Sequence, residues 1–136
     1  MNTSTKIRIA EAQIKGIKLS KREQRFLALL YNNFKSKECD TSMYDCPNTT
    51  FTLSNNDFNR LVGTRSIQER IRLYYSLSRK LSFSEQLPDH SISFIIISGI
   101  ECDPERIWIF VIEDFLPIMK KCISSVVDSN YLKLAN

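Results

Sequence analysis

The stretch Phe51–Leu81, FTLSNNDFNRLVGTRSIQERIRLYYSLSRKL, decides the fold. Phe51, Thr52 and Leu53 are strand formers. Ser54 is placed to cap a helix running to about Val62, and Gly63 is placed to end it in the left-handed conformation. Ser66 and Glu69 have capping-box spacing and open a second helix. Two helices joined by a tight turn containing glycine make a helix-turn-helix candidate.

Projecting the second helix at about 100° per residue separates two arcs. Ile67, Ile71, Leu73, Tyr74, Tyr75, Leu77 and Leu81 form a broad apolar arc, expected to face the domain. Gln68, Glu69, Arg72, Ser76, Arg79 and Lys80 form the other. That polar arc is rich in long hydrogen-bond donors. Arg pairs bidentately with guanine, Gln pairs with adenine, and Ser serves either a base or a phosphate. Thr64 and Arg65 precede the helix start, where free backbone N–H groups favour an anion. The candidate DNA-binding set is therefore Thr64, Arg65, Gln68, Arg72, Ser76, Arg79 and Lys80. The competing reading makes these residues an ordinary solvated face, since surface helices are usually charged.

Upstream, Ser20 and Glu23 repeat the capping-box spacing and start a helix. Phe26, Leu27, Leu29, Leu30, Tyr31 and Phe34 give it an apolar stripe that reads as core. Lys21, Arg22 and Arg25 lie in its first turns, where cations oppose the helix macrodipole. That placement is consistent with a polyanion nearby. Residues 1–5 are expected to be disordered. Lys6–Lys15 is read as a short helix at most, so residues 1–16 form a flexible or short helical extension. Residues 35–50 are read as one long polar loop.

Downstream, a loop through Pro88 is expected to lead to two strand-like runs. These are Ile92–Ile100 (ISFIIISGI) and Arg106–Ile112 (RIWIFVI), bent at residues 101–105. They carry more apolar side chains than one sheet face can bury. A helix or a second subunit must cover the rest, and Ile107, Trp108, Ile109 and Phe110 are the candidate homodimer interface. Asp114 is placed to cap a last helix running to about Val126. Tyr131–Leu134 looks strand-like but is too short to assign.

The 136 residues carry a net charge of +4 and suit a single domain over residues 1–136. Charge is uneven: residues 1–38 net +6, 39–63 net −2, 64–80 net +4 and 81–136 net −4. One electropositive face is the natural consequence. No apolar run reaches the length of a bilayer span, and the start lacks a signal peptide's apolar core. A cytoplasmic protein without membrane contact is expected. The four cysteines and the single histidine, His90, have no zinc-ligand spacing, so no metal and no cofactor are expected. Cys39 and Cys46 are close enough in sequence to bridge on oxidation, which sequence cannot decide. No nucleophile–base pair or glycine-rich phosphate loop is present, and an enzyme is not expected.

The resulting order is helix, loop, short strand, helix, turn, basic helix, hairpin, helix. The fold class read from it is α+β: a winged helix-turn-helix with a C-terminal β-hairpin wing and a closing helix. LSKREQRFLALLYNNF, FTLSNNDFNRLVG and IWIFVIEDFLPIMKK together resemble the N-terminal winged-helix domain of plasmid replication initiators. This is the Rep superfamily, including its RepA, RepB and TrfA-like branches. The resemblance spans roughly residues 17–121. It implies DNA replication functions: binding of double-stranded origin repeats, copy control, dimerisation and recruitment of host replication proteins. This sequence departs from the family in its acidic wing turn, with Glu101, Asp103 and Glu105, and its 136 residues do not span the family's second winged helix, as expected either of one domain of a longer initiator or of a stand-alone relative. The alternative is a protein–protein dimerisation module or a stand-alone winged-helix regulator without origin binding.

Overall fold

The computed structural model describes residues 2–38 and 49–134. Six α-helices and five strands follow one another among these residues. They are α1 (Thr3–Ile14), α2 (Lys21–Glu38), β1 (Thr50–Ser54), α3 (Asn55–Val62), α4 (Ile67–Lys80), β2 (Ser82–Gln86), β3 (Ser91–Ile95), β4 (Ile97–Cys102), β5 (Arg106–Val111), α5 (Phe115–Cys122) and α6 (Ser129–Leu134). A short 3₁₀ turn at Ile123–Ser125 follows α5. The fold is α+β, with helices packed around a small antiparallel sheet.

The capping signals place the first long helix and the helix pair as expected. Ser20 and Glu23 cap α2 reciprocally: the Glu23 N–H donates to Ser20 Oγ at 3.1 Å, and the Ser20 N–H donates to Glu23 Oε1 at 2.8 Å. Ser54 Oγ accepts from the Asp57 N–H at the start of α3. Gly63 ends α3 with φ 91°, where a side chain is strained. Residues 35–38 of the expected loop belong to α2, and Thr50 opens β1; the rest of that expectation lies mostly outside the described residues. Cys39 and Cys46 lie outside the described residues.

The N-terminal extension is no flexible tail. Helix begins at Thr3, within the stretch expected to be disordered, and buries Ile9, Ala10 and Ile14. The Thr3 hydroxyl and the Lys6 ammonium both donate to the Asp114 carboxylate at the start of α5. Those two donors hold the Asp114 carboxyl below its ordinary pKa. Asp114 stands at the N-cap of α5 but makes no side-chain cap bond there. α5 itself stops at Cys122, short of the expected Val126. Tyr131–Leu134 is helical, not strand-like, because the Asp128 carboxylate accepts from the Asn130 N–H and starts α6.

The larger sheet has the order β1-β5-β4, all antiparallel. The expected single strand Ile92–Ile100 is split. Ile96 and Ile97 are both fully buried, and consecutive residues of one strand point to opposite faces. A bend at Ile96 resolves the conflict. The Ile96 N–H donates to the Leu81 carbonyl, and its own carbonyl accepts from the Ile112 N–H. The segment before the bend pairs with β2, so residues 82–86, read as loop, form a second hairpin between α4 and β4.

This split changes the count of apolar groups on the β4–β5 hairpin. Ile107, Ile109 and Val111 face the core, the first two with no exposed surface. Ile107 and Ile109 are therefore closed to a partner, which corrects half of the expected dimer surface. Trp108 and Phe110 stand on the opposite face, half-buried. Trp108 is flanked in register by Thr52 and Glu101, and Phe110 lies over Gly99. The core is continuous from α1 to α5, with Phe26 edge-on to Phe58 at 5.1 Å and Phe34 to Phe115 at 5.4 Å.

Burial sets the outcome of charge substitution along β5. Ile109→Glu should cost more than about 3 kcal/mol, because an unpaired carboxylate enters the core. Trp108→Lys should cost less than about 2 kcal/mol, because only part of the ring leaves cover. Urea denaturation of the two variants checks this; an equal or larger loss at Trp108 would contradict the assignment of the two faces.

Candidate functional site

α3, the turn at residues 63–66 and α4 hold most of the sequence-predicted site. Ser66 caps α4 through a bond from the Glu69 N–H at 3.1 Å. The Glu69 carboxylate reaches back one residue further than the capping-box expectation and accepts from the Arg65 N–H at 2.6 Å. Below the turn, Asn59 Oδ1 accepts from both Thr64 Oγ1 and Arg70 Nη1, each at 2.7 Å. Thr64 and Arg70 are 4% and 3% exposed, so both are structural in position. Thr64 thus tightens the turn and faces inward, away from the surface expected of it.

Arg70 sits on the buried face of α4 with Tyr74, Leu77 and Ser78. No carboxylate among the described residues pairs with it, and its Nε has no hydrogen-bond partner. A buried guanidinium without a balancing acid leaves a fixed positive charge under the turn.

The expected arcs of α4 are rotated. Ile67 is 38% exposed and Tyr75 60% exposed, although both were assigned to the apolar arc. At about 100° per residue, Tyr75, Gln68, Arg79 and Arg72 fall within about 60° of one another. All four are exposed. Tyr75 leans on Tyr74, with ring centroids 5.2 Å apart. Among the described residues, no carboxylate pairs with Arg65, Arg72 or Arg79. Tyr75 is the residue the sequence reading missed. Its position at the border of the apolar arc was the available signal.

Ser76 and Lys80 belong to a third strip of α4 that faces α2. The Ser76 hydroxyl donates to Glu23 Oε2 at 2.7 Å, and Lys80 Nζ donates to Glu23 Oε1 at 2.6 Å. Glu23 is 2% exposed. With Thr64, three of the seven predicted contacts thus bond within the protein. The structure brings Arg65, Gln68, Arg72 and Arg79 to one surface, adds Tyr75, and withdraws Thr64, Ser76 and Lys80.

The β4–β5 turn is held at the start of α3, where the Asn55 N–H and Nδ2 donate to the carbonyls of Glu105 and Asp103, and it is acidic. Glu101, Asp103 and Glu105 are exposed there. Asp103 Oδ1 accepts from the backbone N–H groups of Glu105 and Arg106, each at 2.7 Å. Those bonds hold its carboxyl below the ordinary range. Among the described residues, no group of three His, Cys, Asp or Glu side chains is placed to hold a metal ion. No described helix is long and apolar enough to cross a membrane.

Burial pushes the Glu23 pKa up, but the Lys80 ammonium, the Ser20 N–H and the hydroxyls of Ser76 and Ser20 together bring it below its ordinary value. A lowered folded-state pKa adds stability that is full above the unfolded value, about 4.3, and is lost as pH falls through the folded value. Glu23→Gln should therefore cost about 1–3 kcal/mol at pH 7 and flatten the acid limb below about pH 4.3. Thermal melts of both proteins across the acid range check this; parallel acid limbs would show that Glu23 does not carry the effect. No protein-family model, curated protein or solved structure matches this chain.

Proposed function

We propose that this chain is a winged-helix module that binds duplex DNA through the exposed face of α4. The observation that carries the reading is the stripe Gln68, Arg72, Tyr75 and Arg79, exposed and without an ion pair among the described residues. Two long guanidinium forks and an amide on one narrow face match the donor set that reads base edges in a major groove. Tyr75 adds an apolar surface suited to a thymine methyl group. The architecture agrees with this use. α4 follows a glycine-ended α3 and packs against β4, the edge strand of the three-stranded sheet β1-β5-β4, and this supports the reading.

The resemblance to initiator N-terminal domains supplies the biological setting. In that setting, the module binds double-stranded origin repeats in the cytoplasm and takes part in plasmid replication and copy control. The hairpin β2–β3, inserted between α4 and the wing, is a feature of this chain that the sequence resemblance did not include.

Fluorescence anisotropy with a labelled duplex at two or more salt concentrations tests the proposal. Affinity should fall with salt at a log–log slope of about −0.9 per phosphate contact. Arg72→Ala should cost roughly 1–3 kcal/mol on a preferred sequence and reduce the discrimination between sequences. Thermal stability should be nearly unchanged, because Arg72 is exposed. Absence of binding at low salt would overturn the DNA reading.

A further inference from the structure

The acidic wing poses a problem for a winged helix on DNA. A wing commonly lies against the backbone, yet Glu101, Asp103 and Glu105 are all exposed at this turn. Asp103 is held in its charged form by two backbone N–H groups. Bringing this turn to phosphate would set like charges together, which disfavours the contact. A second anchor on the backbone must lie elsewhere.

The opposite end of the helix pair has the required chemistry. Arg22 and Arg25, in the first turns of α2, converge on the α3–α4 turn. A Cβ added to Gly63 would lie 3.5 Å from Arg25 Nη1 and 3.9 Å from Arg22 Nε. Gly63 has no side chain, and both guanidinium groups lie beside the position that one would occupy. Arg65 is exposed two residues further on. The buried guanidinium of Arg70 shares the Asn59 acceptor with Thr64 of this turn, without a carboxylate partner among the described residues. Neither Arg22 nor Arg25 has a described acidic partner. Arg25 is braced against the Tyr131 ring at 5.6 Å, which limits its motion.

This concentration of positive charge is unfavourable within the protein alone. Cations in the first turns of α2 oppose its macrodipole, and Arg70 raises the local potential further. Phosphate relieves both effects. The planar guanidinium fork matches a phosphate's oxygen pair bidentately.

We propose that Arg22 and Arg25 form a clamp for DNA backbone phosphate beside the Gly63 turn, replacing the contact that the acidic wing cannot make. The clamp rests on the reading of α4 as the DNA-contacting helix. It extends the footprint from Gln68 and Arg72, past Arg65, to the start of α2. It contributes affinity without sequence preference, because phosphate contacts carry no base information.

Salt titration of duplex binding tests the clamp with the wild type, Arg22→Gln, the Arg22→Gln/Arg25→Gln pair, and Arg60→Gln as a control. Arg60 is exposed and pairs with Asp57. The double variant should lower the salt slope by about 2, at about 0.9 per lost phosphate contact, and weaken all duplex sequences alike. Arg22→Gln alone should lower the slope by about 1, and Arg60→Gln should leave it unchanged. If losing the Tyr131 stack unfolds the double variant, Arg22→Gln decides, since that residue stacks on no described ring. An unchanged slope in a folded, DNA-binding Arg22→Gln protein would overturn the clamp and leave the α4 reading standing. Failure of the wild type to bind at low salt would remove both.

Discussion

The Glu23 carboxylate holds two helices in one geometry. Its Oε1 accepts from the Ser20 N–H and from Lys80, and its Oε2 accepts from Ser76. A carboxylate that is only 2% exposed would be costly without such partners. Fully bonded, it fixes the start of α2 and the middle and end of α4 at once. The rotational setting of α4 follows. With Ser76 and Lys80 held toward α2 and Tyr74 and Leu77 toward the core, Gln68, Arg72, Tyr75 and Arg79 are left facing outward. The same bond brings the first turns of α2, with Arg22 and Arg25, to the α3–α4 turn.

Much of this could be read from local chemistry. The caps at Ser20, Ser54 and Ser66 and the stop at Gly63 rest on bonds within a few residues, and those boundaries fell where the spacing put them. What escaped depended on distant partners. Ser76 and Lys80 read as free donors because Glu23 lies over fifty positions away in sequence. Asp114 read as a simple cap, but its oxygens go to Thr3 and Lys6, over a hundred positions earlier. The two-hairpin arrangement escaped for another reason. The run of β-formers from Phe94 to Ile97 gives no local sign that the chain bends at Ile96 to bury two adjacent side chains.

The candidate site was legible in its chemistry and blurred in its phase. Arg72, Arg79 and Gln68 were assigned to the outward face and are there, whereas Tyr75 was taken for core. The buried arc is centred on Arg70, Tyr74, Leu77 and Ser78, two of which are polar. A projection that weights only apolar residues therefore turns the helix toward Tyr75. Polar burial of this kind, in which Arg70 donates to Asn59 and Ser78 to the Ile97 carbonyl, cannot be seen in a hydrophobic pattern.

We propose that one surface, running from the start of α2 across the Gly63 turn to the outer face of α4, meets DNA while the β4–β5 turn does not. A nuclear magnetic resonance titration of the isotope-labelled protein with a short duplex tests this most directly. The account predicts amide shifts concentrated at residues 21–25 and 63–79, weakening with added salt, with residues 101–106 unmoved. Shifts centred on residues 101–106 or on the β2–β3 hairpin, with α4 silent, would contradict it.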